Sequence, residues 1–132
     1  MRLHALRLHP GQDLKIELDA FVETNQIEAA CVLTCVGSLR KASLRFANQE
    51  NGTTMTGFFE IVSLIGVLSI HGSHYHISIS DGQGQTFGAH LLEGSEIYTT
   101  AEIILSELPE FRFLRKYDGQ TGYPELEIIN NF

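Results

Sequence analysis

At 132 residues with 43% hydrophobic content, the chain holds enough apolar material for one compact core, and residues 1–132 read as a single domain. A formal net charge of −7, with only nine Lys and Arg, dispersed apart from two small local groups, argues against a protein whose main work is gripping phosphate backbones, and direct nucleic-acid binding is disfavoured. The longest apolar run, Ile61 to Ile70, is interrupted by Ser63, Gly66 and Ser69 and falls far short of the ~20 residues that a bilayer-spanning helix needs.

Met1 to Arg7 carries no continuous apolar segment and no small-residue cleavage site, which points to a cytoplasmic protein. Arg2 to Leu8 alternates as a first strand that ends at Pro10-Gly11. From Asp13, a fitting N-cap, Leu14, Leu18, Phe21 and Val22 form a helical stripe to about Asn25. This is the one main helix. Ala29 to Val36 is a short apolar run with β-branched residues, expected as a strand buried on both faces. Its cysteines, Cys31 and Cys35, would lie about 13 Å apart along a strand, too far to bridge, and lack a second pair for a structural zinc. Gly37-Ser38 is expected to turn the chain into a half-exposed strand, Leu39 to Ala47, paired with its predecessor. A polar loop, Asn48 to Thr53, leads to Gly57–Ser69, apolar on both faces and a candidate for the sheet centre. Ile97 to Leu105 fits a strand through Tyr98, Thr99, Thr100, Ile103 and Ile104, and fits a helical face through Ala101, Ile104 and Leu105; strand is preferred. Pro109 stops it, Phe111 to Tyr117 reads as a short strand, and Leu126 to Ile129 as a final edge strand. The basic groups Arg40-Lys41-Arg45 and Arg112-Arg115-Lys116 read as ordinary surface charge.

The chemistry concentrates between His74 and His90. Two period-two runs flank Asp81-Gly82-Gln83-Gly84, the signature of a β-hairpin. A two-residue loop would mix core and polar residues on both faces. An odd loop of three or five residues sets Ile79 opposite Phe87, Ile77 opposite Ala89 and Ser80 opposite Thr86, so each face becomes uniform. The same register sets His76 opposite His90, with His74 on the same face about 6.5 to 7 Å along the strand. Ser78, Ser80 and Thr86 share that face, whereas Tyr75, Phe87 and the other aromatics are expected in the core. His4, His9 and His71 lack convergent partners. Three neutral imidazoles with a free fourth position form the ligand set of a catalytic zinc, whose bound water falls to a pKa near 7. Histidines satisfied on an exposed polar face would show the same spacing. Glu60, alone in an apolar strand, either pairs with Arg45 or Arg2 or stands near the metal as a general base or as an acceptor for an imidazole N–H.

With these residues laid out, the chain resembles the plants-and-prokaryotes-conserved (PPC) domain over nearly its whole length. The resemblance rests on Cys31-Val32-Leu33-Thr34-Cys35-Val36-Gly37-Ser38-Leu39, Gly57-Phe58-Phe59-Glu60-Ile61-Val62, His74-x-His76 with Ser80-Asp81-Gly82, Gly88-Ala89-His90, and Thr99-Thr100-Ala101-Glu102-Ile103. It implies an α+β fold, mostly antiparallel β-sheet, similar to that of acetolactate decarboxylase with its three-histidine zinc site, assembled as a homotrimer. The metal unit of the prokaryotic members corresponds by position to His74, His76 and His90, with a divalent metal, zinc, as the cofactor. Plant members sit behind AT-hooks. No Arg-Gly-Arg-Pro core is found here, so their DNA-binding role is not carried over. Within the plant Gly-Arg-Phe-Glu-Ile-Leu segment, Phe58 and Val62 replace Arg and Leu. Two functions from different classes follow: a metal-dependent enzyme acting on a small-molecule ligand, of unspecified reaction, or a non-catalytic oligomerisation and protein-interaction module. A DNA-associated role, as in the AT-hook relatives, is a weaker third. A metal at a trimer interface would use the same ligands for a structural purpose.

Overall fold

The computed structural model describes residues 1–132. The elements in order are β1 (Arg2–Leu8), α1 (Leu14–Thr24), β2 (Ala30–Arg45), β3 (Thr53–Leu68), β4 (His74–Ser80), β5 (Thr86–Leu91), β6 (Glu96–Glu107), β7 (Phe111–Asp118) and β8 (Tyr123–Asn130). This is the expected α+β arrangement, a mostly antiparallel sheet with one helix. Six strands form a sheet in the order β1-β6-β2-β3-β4-β5, and β7 pairs only with β8. The sheet curls until the end of β2 also meets β5, with Leu44 opposite Leu91 and Arg45 opposite His90. Four strands thereby close on themselves at one end of the sheet.

The helix starts where the side chain of Asp13 accepts the Ile16 N–H at 3.0 Å, satisfying one of the donors that a helix N-terminus leaves free. Leu14, Leu18 and Val22, spaced at helical period, are buried and join Leu39, Leu44, Leu68, Ile79, Ile97, Ile103 and Leu105 in one core cluster on the inner face of the sheet. The choice between helix and strand at 97–105 is settled as strand: β6 pairs with β1 on one side and β2 on the other.

Three expectations are corrected. Ala29–Val36 and Leu39–Ala47 are not two paired strands but one continuous strand, β2, and Gly37-Ser38 does not turn. Gly37 is needed for close approach instead: a β-carbon there would stand 2.2 Å from the Thr100 carbonyl oxygen and 2.7 Å from the Ala101 Cα, so only glycine lets β2 lie against β6. Next, β2 and β3 are apolar on both faces, yet only the inner face is buried. On the outer face Val36 is 62%, Phe58 67%, Val62 57% and Ile65 60% exposed, because α1 covers one side of the sheet and no element of the chain covers the other. Phe58 and Tyr98, expected in the core, pack on each other on that outer face with ring centroids 4.9 Å apart, and Tyr117 and Tyr123 are also exposed. Finally, the last strand is not an edge of the main sheet. It is half of the separate β7–β8 hairpin.

Cys35 is buried and Cys31 half-buried, both as free thiols. Burial, helped by the nearby Glu102 carboxylate, pushes the Cys35 thiol up to about 12, which makes it inert.

Candidate metal centre

The site is set by a turn. In the five residues joining β4 to β5, the Asp81 N–H donates to the Gln85 carbonyl at 2.9 Å. The Asp81 carboxylate accepts the N–H groups of Gln83 and Gln85 at 2.9 and 3.0 Å. This side-chain mimicry of a backbone turn fixes an odd loop. The pairing is the one that uniform faces require: His76 opposite His90, Ile77 opposite Ala89, Ser78 opposite Gly88, Ile79 opposite Phe87 and Ser80 opposite Thr86. Tyr75, Ile77 and Ile79 point into the core with at most 2% exposure, so His74 and His76 are forced outward. Beneath them the buried Tyr75 hydroxyl donates to Asp19 Oδ1 at 2.8 Å, tying β4 to α1, with Lys15 on the other oxygen of that carboxylate at 2.7 Å. Burial and the Asp19 charge hold the Tyr75 phenol well above its ordinary range.

His74, His76 and His90 converge as expected. Ring centroids lie 4.8 Å apart for His74–His76, 5.0 Å for His74–His90 and 5.8 Å for His76–His90. One ligand atom from each falls within 4.8 Å of the others. Tetrahedral zinc at Zn–N of 2.0–2.1 Å sets its nitrogens about 3.3 Å apart, and the Nε2 atoms of His74 and His76 stand at 3.2 Å. Partial burial, then the neighbouring His74 and the Arg45 guanidinium, lowers the His90 pKa to about 4. Burial, His76 and Arg115 lower that of His74. Both imidazoles are therefore neutral at physiological pH, the form that offers a lone pair to a metal.

Cross-strand pairing builds a row on the outer face: Arg45 beside His90, His90 beside His76, His76 beside Ile65. The whole row lines a cavity of about 480 Å³ that takes in all three histidines, Arg45, Ile65 and Ser78. At its Ile65 end the row joins the exposed apolar outer face. A wider groove runs on from His74 and His90 to the β7–β8 hairpin, where Arg115, Tyr123 and Glu125 form its wall together with His71.

Glu60 and His4 are not brought to the site. Glu60 is exposed and sits opposite Ser38 and Ser80, and Ser80 lies four residues along β4 from His76, about 13 Å at strand rise. Neither expected partner reaches it: Arg2 pairs with Glu107 instead, and Arg45 donates only to the Gln49 carbonyl, at 3.4 Å. His4 is taken up by Glu107 at 2.7 Å and by an edge contact on Phe21. Arg45 and Arg115 are the residues that sequence reasoning passed over. Both were grouped with surface charge, and only the β2–β5 pairing and the placement of β7 bring them to the histidines.

An antiparallel sheet backed by one helix, with three imidazoles on its open face, defines a small α+β protein with a ligand set for a metal. The model of the Plants and Prokaryotes Conserved (PCC) domain matches residues 1–109, and the chain belongs to that family; β7 and β8 follow the matched region. Over 128 residues the chain is 46% identical to the bifunctional protein GlmU of Synechococcus sp. (strain JA-2-3B'a(2-13)), covering 97% of this chain and 20% of that protein. It thus spans about a fifth of the length of the curated relatives it matches. Among solved structures, a hypothetical protein from Salmonella enterica is 43% identical with a TM-score of 0.96, covering 99% of this chain and 95% of that one. A metal-containing protein from Archaeoglobus fulgidus is 27% identical with a TM-score of 0.80, covering 96% and 94%.

Proposed function

We propose that this chain is a homotrimeric metal protein in which His74, His76 and His90 hold a divalent zinc ion beside a pocket for a small-molecule ligand. The observation that carries the proposal is the convergence of three imidazoles within 4.8 Å at the mouth of a cavity of about 480 Å³. The Archaeoglobus fulgidus relative, described as metal-containing, supports it. A metal held by three histidines keeps a fourth position for water or ligand, lowers the pKa of that water and polarises a bound oxygen. The chain's own part is to keep His74 and His90 neutral by burying them partly beside Arg45 and Arg115. It also locks the β4 ring positions through the core side chains between them. The exposed outer face supports the homotrimer: Val36, Phe58, Val62 and Ile65 form the kind of apolar strip that a second copy covers, and Ile65 adjoins His76, so assembly would wall one side of the pocket. A net charge of −7 weighs against phosphate-backbone binding.

The test is metal analysis of protein purified without an affinity tag, for the wild type and His76→Ala. Near-stoichiometric zinc that His76→Ala loses, with the trimer mass kept, supports a metal that serves a ligand. Loss of the trimer with the metal assigns it to assembly. Zinc in fewer than about a tenth of subunits, unchanged by the substitution, overturns the site.

A further inference from the structure

Two guanidinium groups face the histidine site without a carboxylate partner. Arg45 is half-buried, stands directly across from His90 and lines both the cavity over the histidines and the groove beside it. Arg115, also half-buried, comes from β7, and its stem lies over Gly72, where a β-carbon would stand 2.9 Å from Arg115 Cγ. A side chain at Gly72 would collide with that stem. The ion pairs of the chain engage the N-terminus, Arg2, His4, Lys15, Arg40 and Arg112. Arg45 and Arg115 belong to none of them, although Glu50 and Glu125 line the same groove. In a chain with 16 acidic and nine basic residues, two half-buried guanidiniums without a carboxylate partner, lining one groove with His74 and His90, form an anion-binding pair, since a planar fork of donors matches a carboxylate or phosphate.

We infer that the ligand of the three-histidine site is a small organic anion, whose carboxylate or phosphate group is held between Arg45 and Arg115 while a neighbouring oxygen faces the histidines. The inference rests on the metal reading for the second contact and not for the first. The β7–β8 hairpin, which follows the family-matched residues, becomes the wall that selects the ligand, because it supplies Arg115, Tyr123 and Glu125 to the groove.

The experiment is calorimetric titration of the zinc-loaded chain with inorganic phosphate and, separately, with lactate. It compares the wild type with the double variant Arg45→Gln/Arg115→Gln, and an indicator dye reports zinc affinity for both. The wild type is expected to bind one of the two anions, and the double variant to bind it at least about tenfold more weakly, as the loss of charge-assisted hydrogen bonds requires. Zinc affinity stays level or rises, since repelling charges have been removed. A phosphate response assigns a phosphate ester, a lactate response a carboxylic acid. Wild type that binds neither anion, or a double variant that binds as tightly as wild type, overturns the inference. If the wild type takes up no zinc, the metal reading falls, and phosphate titration of the metal-free chain still decides the arginine pair by the same ratio. Arg45→Lys/Arg115→Lys, which keeps the charges and loses the forks, guards against a folding defect and is expected to bind the anion with intermediate affinity.

Discussion

Val62→Asp places a carboxylate on the outer face of β3, where it separates folding from assembly. Val62 is 57% exposed, with Val36 at 62%, Ile65 at 60% and Phe58 at 67% around it. More than half of each side chain is thus left to bury. Full burial of such a side chain is worth about 1.5–3 kcal/mol, so the exposed share is about 1–2 kcal/mol each and about 4–8 kcal/mol per subunit for the four, before the entropy of association is subtracted. Aspartate forfeits the Val62 share and adds the desolvation of a charge, for a loss of at least about 4 kcal/mol per interface, near three decades in association constant. In the free subunit the position is solvated, so the fold itself should be unaffected. Sedimentation velocity at micromolar concentration should find the wild type as a trimer and Val62→Asp as a folded monomer with unchanged far-ultraviolet circular dichroism. A variant that sediments with the wild-type mass, or a wild type that is monomeric at every concentration, refutes the assignment of this face to self-association.

Acid should weaken the metal-stripped protein through its histidines. With the folded-state pKa of His90 lowered to about 4 against an ordinary value near 6.5, the unfolded chain binds the proton first as pH falls. The stability contribution is complete above about pH 6.5 and is lost as pH falls towards 4. Thermal melts in chelator across that range should fall more steeply for the wild type than for His90→Gln, and parallel curves would sink the claim. Tyr75→Phe removes the buried hydroxyl from Asp19 and should cost about 1–3 kcal/mol in urea unfolding, because the carboxylate loses one of its two partners; a change under about 0.5 kcal/mol would show that Lys15 and solvent compensate fully.

The histidine face was legible because its register follows from local pattern. Alternating Tyr75, Ile77 and Ile79, answered by Phe87, Ala89 and Leu91 across a turn built on Asp81, leaves His76 no position but the one beside His90. The helix was legible for the same reason: a cap at Asp13 and a stripe at Leu14, Leu18 and Val22 are neighbours in sequence as well as in space. Gly37 misled, since a glycine that opens a turn and a glycine that lets two strands touch look alike until the second strand, β6, is in place. The apolar strands β2 and β3 misled in part. Apolarity on both faces states that both are to be covered, without stating by what, and within one chain only α1 and the core do any covering.

Arg45 and Arg115 mark the boundary between the two kinds of information. Their identity and charge are written in the chain, but Arg45 meets His90 only because the sheet curls to bring β2 to β5, and Arg115 reaches the groove only because the β7–β8 hairpin settles over Gly72. By itself the sequence determined the three-histidine face, since strand alternation and turn length act over a few residues. Tertiary structure alone decided what faces it, since contacts between strands 45 residues apart depend on the twist and closure of the whole sheet, in which Arg45 and His90 become neighbours.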